Sequence, residues 1–570
     1  MSKIDPTSWF TLWLGLVLTS TSTATGQEID FSQALEVRLV EVEVVVTDAK
    51  GRPILDLGPA DFELRVDGVK QPIASFSGPP GTKENAGATT EPQPGYLAIF
   101  FDNNNIETLQ RNAIIQSVRD FLDSQEQLDF SLMVTSSTST GFRLHQGFTQ
   151  DLPDIDRALD EVAQSLAQDQ RVAEYQAIFR ELQRLSSAVQ DFSGRGIAPQ
   201  VQSLSGRIQA FSDQARDDAL RSAGYLWRLT DSVAGLPGRQ AIVYIGGVLT
   251  LNPAAALYGA LRDVLGSRTG PEAQETGARM PAGVASEGPQ SLEKLAEHVS
   301  ANGVAFYAIT DPGRRDALWG GVTVGSMEAA PGDAPDPQDV WSPGVGFRSR
   351  NEATETVEIL ARASGGLARV GARSVEPTFE AMALDLTSFY LLSFQPAHEP
   401  DGELHEIEVR VDRKGADARY RDSYRAITWD QETAAAVRSS LHFGADRDPL
   451  HVRIERGEIV EAGDNASRLP LTLQIPLSSL TVVSVGADHR GQVTLFYSAG
   501  SNDLSSIPVR KIVLPISIPN ENLLEAIGQS IRYRIDIDLP QGCDRVIVGV
   551  RDDLDDRLSI NRIWLDDDES

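Results

Sequence analysis

Residues 96–105 read YLAIFFDNNN: six consecutive apolar side chains, Tyr96 to Phe101, that stop at Asp102 and three asparagines. A continuous apolar run bounded by turn formers is the pattern of a central parallel strand buried on both faces. A helical stretch follows from Thr108 to Asp123, with Leu109, Ala113, Val118, Phe121 and Leu122 at helical spacing. Working outward, Phe130–Val134, Phe142–Phe148, Ala241–Ile245, Val304–Ile309 and Leu367–Val370 read as further strands. Leu292–Ala301, Glu352–Ala363 and Thr378–Leu386 read as helices. Strands alternating with helices over residues 95–388 predict an α/β unit built on a doubly wound parallel sheet. Residues 152–235 interrupt it. Leu159, Val162, Leu166, Ile178, Phe179, Leu182 and Leu185 form one apolar stripe, and Leu204, Ile208, Phe211, Ala215, Ala219 and Leu226 a second. Ser193-Gly194-Arg195-Gly196 separates them, so a helical-hairpin insertion is expected, its stripes packed against each other.

On both sides of this unit the period changes to two. Val40, Val42, Val44 and Val46 lead to a turn at Asp48–Gly51, and Phe62, Leu64 and Val66 to another at Asp67-Gly68. Residues 30–77 thus read as an antiparallel β module, joined by a Pro/Gly/Thr-rich linker at 78–94. Strand character returns at 389–427. Because the chain leaves a β layer and comes back to one, these two segments are expected to complete a single module around the α/β unit. Residues 428–570 contain six strand-like runs with turn signals and read as a C-terminal β-sandwich, closed by an acidic tail over 552–569.

The balance of 51 basic against 81 acidic residues, a net charge of −30, excludes an extended basic face of the kind nucleic acids need. It also disfavours docking to anionic lipid and makes a cation the best-tolerated partner. A single cysteine, Cys543, rules out an intrachain disulfide or a thiolate zinc cluster. At the N-terminus, ten residues from Trp9 to Leu18 are apolar but for one Thr, and small residues follow at Ala24 and Gly26. This is too short for a membrane span and predicts a signal peptide over 1–26, cleaved after Gly26. The expected location is secreted or periplasmic, with no transmembrane segment in the mature chain.

Six segments in order resemble the VWFA-related domain family described mainly from Acidobacteria, a divergent branch of von Willebrand factor type A (VWA) domains. They are residues 42–77, YLAIFFDNNN at 96–105, GLPGRQAIVYIGG at 235–247, LAEHVSANGVAFYAITDPG at 295–313, LARASGGLARV at 360–370 and residues 388–426. The resemblance spans residues 40–427. It implies a metal ion-dependent adhesion site, built from D-x-S-x-S after the first strand, a Thr in a later loop and an Asp after the central strand. In this chain Asp102 matches the first Asp and Asn104 stands at the first Ser. Ile106 stands at the second Ser and Gly246 at the distal Asp, and neither can ligate. Thr149 falls short of the third loop. Two readings remain open here: an Asx-turn that closes the strand, or weak binding of Mg²⁺ or another divalent cation through Asp102 and Asn104. No other cofactor is expected.

Catalytic motifs are absent from the sequence. None of the seven histidines forms H-x-x-x-H or H-E-x-x-H, and there is no G-x-S-x-G, Walker A or G-x-G-x-x-G segment. His405-Glu406 reads as a surface strand position. Asp552-Asp553 and Asp555-Asp556 read as solvated charge, since they lack the EF-hand spacing. The resemblance therefore implies a non-enzymatic module with a degenerate adhesion site that binds a protein or cell-envelope partner. The alternatives are a metal-assisted hydrolase and a purely structural envelope protein. A pocket joining Asp102 to a histidine such as His145 would favour the hydrolase.

Overall fold

The computed structural model describes residues 39–565 apart from 80–94, 126, 139–140, 168, 192–197, 248, 250–252, 267–287, 311–355, 371–374, 445, 462–466 and 556. The expected signal peptide, most of the 78–94 linker, the Gly194–Gly196 turn and the last acidic residues lie outside the described residues.

The chain is a mixed α/β protein with several sheets. The central one is mixed and six-stranded. Its strands, with the intervening helices, follow the chain as β5 (Gly95–Phe101), α1 (Thr108–Asp123), β6 (Phe130–Thr138), β7 (Gly141–Thr149), α2 (Leu152–Gln164), α3 (Asp169–Asp191), α4 (Ala198–Val233) and β8 (Arg239–Gly246). After these come α5 (Ala255–Gly266), α6 (Gly288–Ala301), β9 (Ala305–Thr310), β10 (Ala368–Val370) and α7 (Glu376–Thr387). The spatial order is β10-β9-β8-β5-β6-β7, parallel except that β7 runs antiparallel to β6. The side chains of Leu97 to Phe101 are buried on both faces, as an all-apolar strand requires. Ile99 and Phe101 pack with residues of α1, α2 and α7 on one face. Ala98, Phe100 and Tyr244 pack with α4 and α6 on the other. Strand order reverses between β5 and β8, so the chain leaves both strands into a shared crevice at their C-terminal ends.

The insertion differs from a simple hairpin. Helix α2 ends at Ser165, whose extended backbone (ψ 154°) breaks the stripe, and its apolar side chains Ile155, Leu159 and Val162 join the sheet core. Helices α3 and α4 pack together with α5 around a separate core, with Tyr175, Ile178 and Leu182 facing Leu204, Ile208 and Leu257.

The flanking β segments form two four-stranded sheets around one core. Before the α/β unit lie β1 (Val40–Thr47), β2 (Phe62–Val66), β3 (Val69–Gln71) and β4 (Ser75–Ser77). After it come β11 (Tyr390–Phe394), β12 (Leu404–Val411), β13 (Asp417–Arg419) and β14 (Ser423–Arg425). The sheet orders are β13-β1-β11-β4 and β14-β12-β2-β3, with Val42 opposite Leu392 and Val66 opposite Ile407. The β2–β3 turn has positive φ at both Asp67 (48°) and Gly68 (75°), the requirement of a type I′ hairpin. Ion pairs fasten this module to the α/β unit: Arg239 to Glu43 at 2.8 Å, and Arg419 to Asp385 through two bonds of 2.7 Å.

The C-terminal segment opens with a helix, α8 (Trp429–Phe443), where no helix is expected from sequence. Thr428 and Gln431 form a capping box at its start and Gly444 (φ 68°) ends it. Beyond it, two antiparallel sheets enclose one core, with Leu471, Leu473, Leu495, Ile537 and Val548 among its buried residues. Among the described residues no helix is long and apolar enough to cross a membrane.

Candidate functional site

The loop Asp102–Asn105 leaves β5 at the crevice, where ligands of open α/β sheets bind. Its backbone is fixed at three points. Asp102 N–H donates to Ile245 O, Asn105 N–H to Asp102 O, and Asn104 N–H to the Ser137 hydroxyl at 3.1 Å. All four loop side chains are buried. Ile106 lies in the core with α1, which is why a hydrophobe stands there.

The Asp102 carboxylate is fully buried and engaged. Ser137 Oγ donates to Oδ1 and the Tyr244 hydroxyl to Oδ2, each at 2.9 Å. Ser222 of α4 is buried against the same carboxylate. Burial raises the Asp102 pKa, against the pull of the three hydroxyls and the charge of Arg171. Asn105 Nδ2 donates to the Tyr244 hydroxyl at 3.1 Å. That hydroxyl also explains Gly246: a Cβ there would lie 2.4 Å from Tyr244 Oη. The space beside Gly246 is filled by the ring that bonds to Asp102.

Two buried arginines clamp the loop from opposite faces of the sheet. On the α2 side, Arg111 donates to Asn103 Oδ1 (3.1 Å), to Ala163 O (2.8 Å) and to Ser165 O (2.9 Å). It thereby neutralises the C-terminal carbonyls of α2 as it fixes the loop. On the α4 side, Arg171 from α3 donates to Asn104 O, to Asn105 Oδ1 (2.9 Å) and to Asp218 Oδ2 (3.1 Å). Its charge acts on Asp102 and Asp218 together. Burial lowers the pKa of this guanidinium, yet an arginine stays charged. Asp218 is also paired with Arg221.

Asp102 and Asn104 therefore do not present an open ligand set. The Asn104 backbone carbonyl, Asn105 Oδ1 and Asp218 Oδ2 already accept from the Arg171 guanidinium, and both Asp102 oxygens accept from hydroxyls. With Arg171 in place the residues do not fit the ion. The sequence carries no signal for this, because Arg171 is one arginine among many on an amphipathic helix.

His145 lies across the sheet from Asp102. Its Nε2 is 2.8 Å from Ser136 Oγ and its Nδ1 is 3.0 Å from Glu161 Oε2. The order Ser–His–Glu has the connectivity of a hydrolytic triad. However, Ser136 is wholly buried within β6, paired with Phe101 on one side and Arg143 on the other. A carbonyl substrate could not reach it there. Burial lowers the His145 pKa, against the pull of Glu161.

A second cluster sits on the β module. His398, Asp401 and His405 each offer a ligand atom within 4.8 Å of the others. His405 is read from sequence as a plain strand position; His398 and Asp401, on the loop before β12, reach it only through the fold. No family model matches this chain, and no curated protein matches it.

Proposed function

We propose that this chain is an exported, doubly wound VWA-like protein that binds a protein or cell-envelope partner without a metal ion at its adhesion-type site. The observation that carries the reading is Arg171. A fixed monovalent cation takes up the Asn104 and Asn105 oxygens and balances the buried acids Asp102 and Asp218. The reversal of strand order at β5 and β8 and the helices on both sheet faces support the VWA-like assignment. The acidic surface suits solubility outside the cytosol. The step from fold to binding is one of analogy.

The hydrolase alternative has one specific observation in its favour, the Ser136–His145–Glu161 array, and the burial of Ser136 weighs against it. The deciding experiment is saturation binding of fluorescently labelled protein to the envelope fraction of the source bacterium. The expected result is saturable binding, competed by unlabelled chain and unchanged by EDTA. Lack of saturation, or Mg²⁺-dependent binding abolished in Asp102→Asn, would overturn the reading.

A further inference from the structure

The His398 cluster lies where the β11–β12 loop folds back over β12, beside the β2–β3 turn. Each histidine is held by its outer nitrogen. His405 Nδ1 is 2.8 Å from Asp67 Oδ2, and Asp67 is itself fixed by the Glu406 N–H at 3.0 Å. His398 Nε2 is 3.2 Å from the Tyr424 hydroxyl. The inner nitrogens face a shared carboxylate: His405 Nε2 is 3.3 Å, and His398 Nδ1 4.0 Å, from Asp401 oxygens. His398 Nδ1 also lies 3.0 Å from Glu399 O. The two imidazoles stack with centroids 4.1 Å apart, and His405 lies 5.3 Å from the Tyr424 ring. Stacking and outer bonds together fix both ring planes.

For His405 this is the arrangement of a metal-ligating histidine, which donates its other N–H to a carboxylate that sets tautomer and orientation; His398 Nδ1 donates to the Glu399 carbonyl and gives up that bond on ligating, with the Tyr424 hydroxyl then accepting from Nε2. We propose that His398, Asp401 and His405 form a surface site for one divalent transition-metal ion of the zinc class, with Asp67 and Tyr424 orienting the imidazoles. Two imidazoles and one carboxylate suit zinc, cobalt, nickel or copper, whereas magnesium and calcium require oxygen-rich shells. Ligand atoms around zinc stand about 3.4 Å apart when bonds are about 2.1 Å. Donors already within 4.8 Å close to that separation by small side-chain rotations. His398 and Asp401 are both exposed, so the fourth position falls to water. The bound ion would tie the 398–403 loop to β12 and, through Asp67, to the β2–β3 turn. This site is independent of the Asp102 loop.

The test uses the full chain without a polyhistidine tag, stripped with chelator and titrated at pH 7.5 with ZnCl₂, CoCl₂, MgCl₂ or CaCl₂. Calorimetry should give one Zn²⁺ per chain and no binding of Mg²⁺ or Ca²⁺ here. Co²⁺ should give a visible d–d absorption band at one equivalent. His398→Ala or His405→Ala should weaken Zn²⁺ by about 100-fold or more, and Asp67→Asn by about 10–100-fold. Asp102→Asn should change nothing. Lack of stoichiometric Zn²⁺ binding, or binding that survives the His398→Ala/His405→Ala double variant, overturns the proposal. Should a variant fail to fold, the wild-type Co²⁺ spectrum decides, since its absence overturns the site.

Discussion

Replacing Arg171 by alanine tests the account of the crevice most directly. The guanidinium is buried, with 7% of its side-chain surface exposed, and its partner Asp218 has 2%. Removing one member of a buried ion pair costs about 3–5 kcal/mol, because the other charge is left without compensation. Arg221 still neutralises Asp218 from the exposed side, so the lower end, about 3 kcal/mol, is expected here. Asp102 loses the positive charge of Arg171 that opposes the effect of its burial. A chain of this size with several separate cores is outside the range where two-state unfolding is the rule, so a single melting temperature reports poorly on one site. Hydrogen exchange read on peptides spanning residues 97–108 and 215–226 resolves the local opening energy. Protection there should fall by about two orders of magnitude, the equivalent of about 3 kcal/mol, while the C-terminal sheets are unaffected. Ca²⁺ should restore part of the protection in Arg171→Ala and none in wild type, since the variant frees the oxygens of Asn104, Asn105 and Asp218. A loss below about 1 kcal/mol would refute the reasoning, because an arginine of that weight is solvated and not the internal counter-ion.

Three further outcomes follow from the geometry. His442 is buried in α8 beside Arg545 and Arg438, and burial first, then those charges, pushes its pKa down to about 4. Its folded pKa lies below the unfolded value near 6.5, so the unfolded chain binds the proton first. Stability is lost as pH falls from about 6.5 to about 4, by roughly 3 kcal/mol; His442→Gln should flatten that limb of a denaturation-versus-pH curve. Gly246→Ala forces a Cβ to 2.4 Å from the Tyr244 hydroxyl and should cost about 1–3 kcal/mol in urea denaturation. Ser136→Ala should cost about 1 kcal/mol for its lost hydrogen bond, and wild type and variant should hydrolyse p-nitrophenyl acetate equally, at background rate.

What could be read in advance depended on how local its cause was. The run Tyr96–Phe101 is a buried strand because six apolar residues in series fit no half-exposed element. The Asp67-Gly68 turn was legible because few other dipeptides accept positive φ twice in succession. Helix α8 carried its own signals, Thr428 with Gln431 and then Gly444, but they stand beside strand-like runs that dominate a coarse reading. The functional geometry had no local cause. Arg171 meets Asn104 and Asn105 only once the fold brings the start of α3 to the end of β5, 67 and 66 residues away in sequence. Asp67 and His405 are separated by 338 residues and meet because β2 pairs with β12. The spacing H-x-x-D-x-x-x-H would suit one face of a helix, but Pro400 and Gly402 interrupt any helix there; a loop that doubles back onto its strand brings the three side chains together.

The two cationic centres differ in the property that decides how each can be used. In the crevice the positive charge belongs to the chain, so it cannot dissociate, and its carboxylate partners pay no penalty when outside ion concentrations change. On the proposed reading, a partner docking at that face would need no bridging ion. The price of this is that its affinity cannot be tuned by a metal. At the β module two of the three donors reach solvent, so any cation there is exchangeable. The net charge of −30 raises the local concentration of such ions. The ordering of the 398–403 loop would then depend on metal supply, while the Asp102 loop would not. Chelation should therefore loosen one end of the protein and leave the crevice unchanged, and hydrogen exchange on residues 396–406 against 97–108, with and without EDTA, separates the two. Equal loosening at both would mean that Arg171 is not the cation on which the crevice depends.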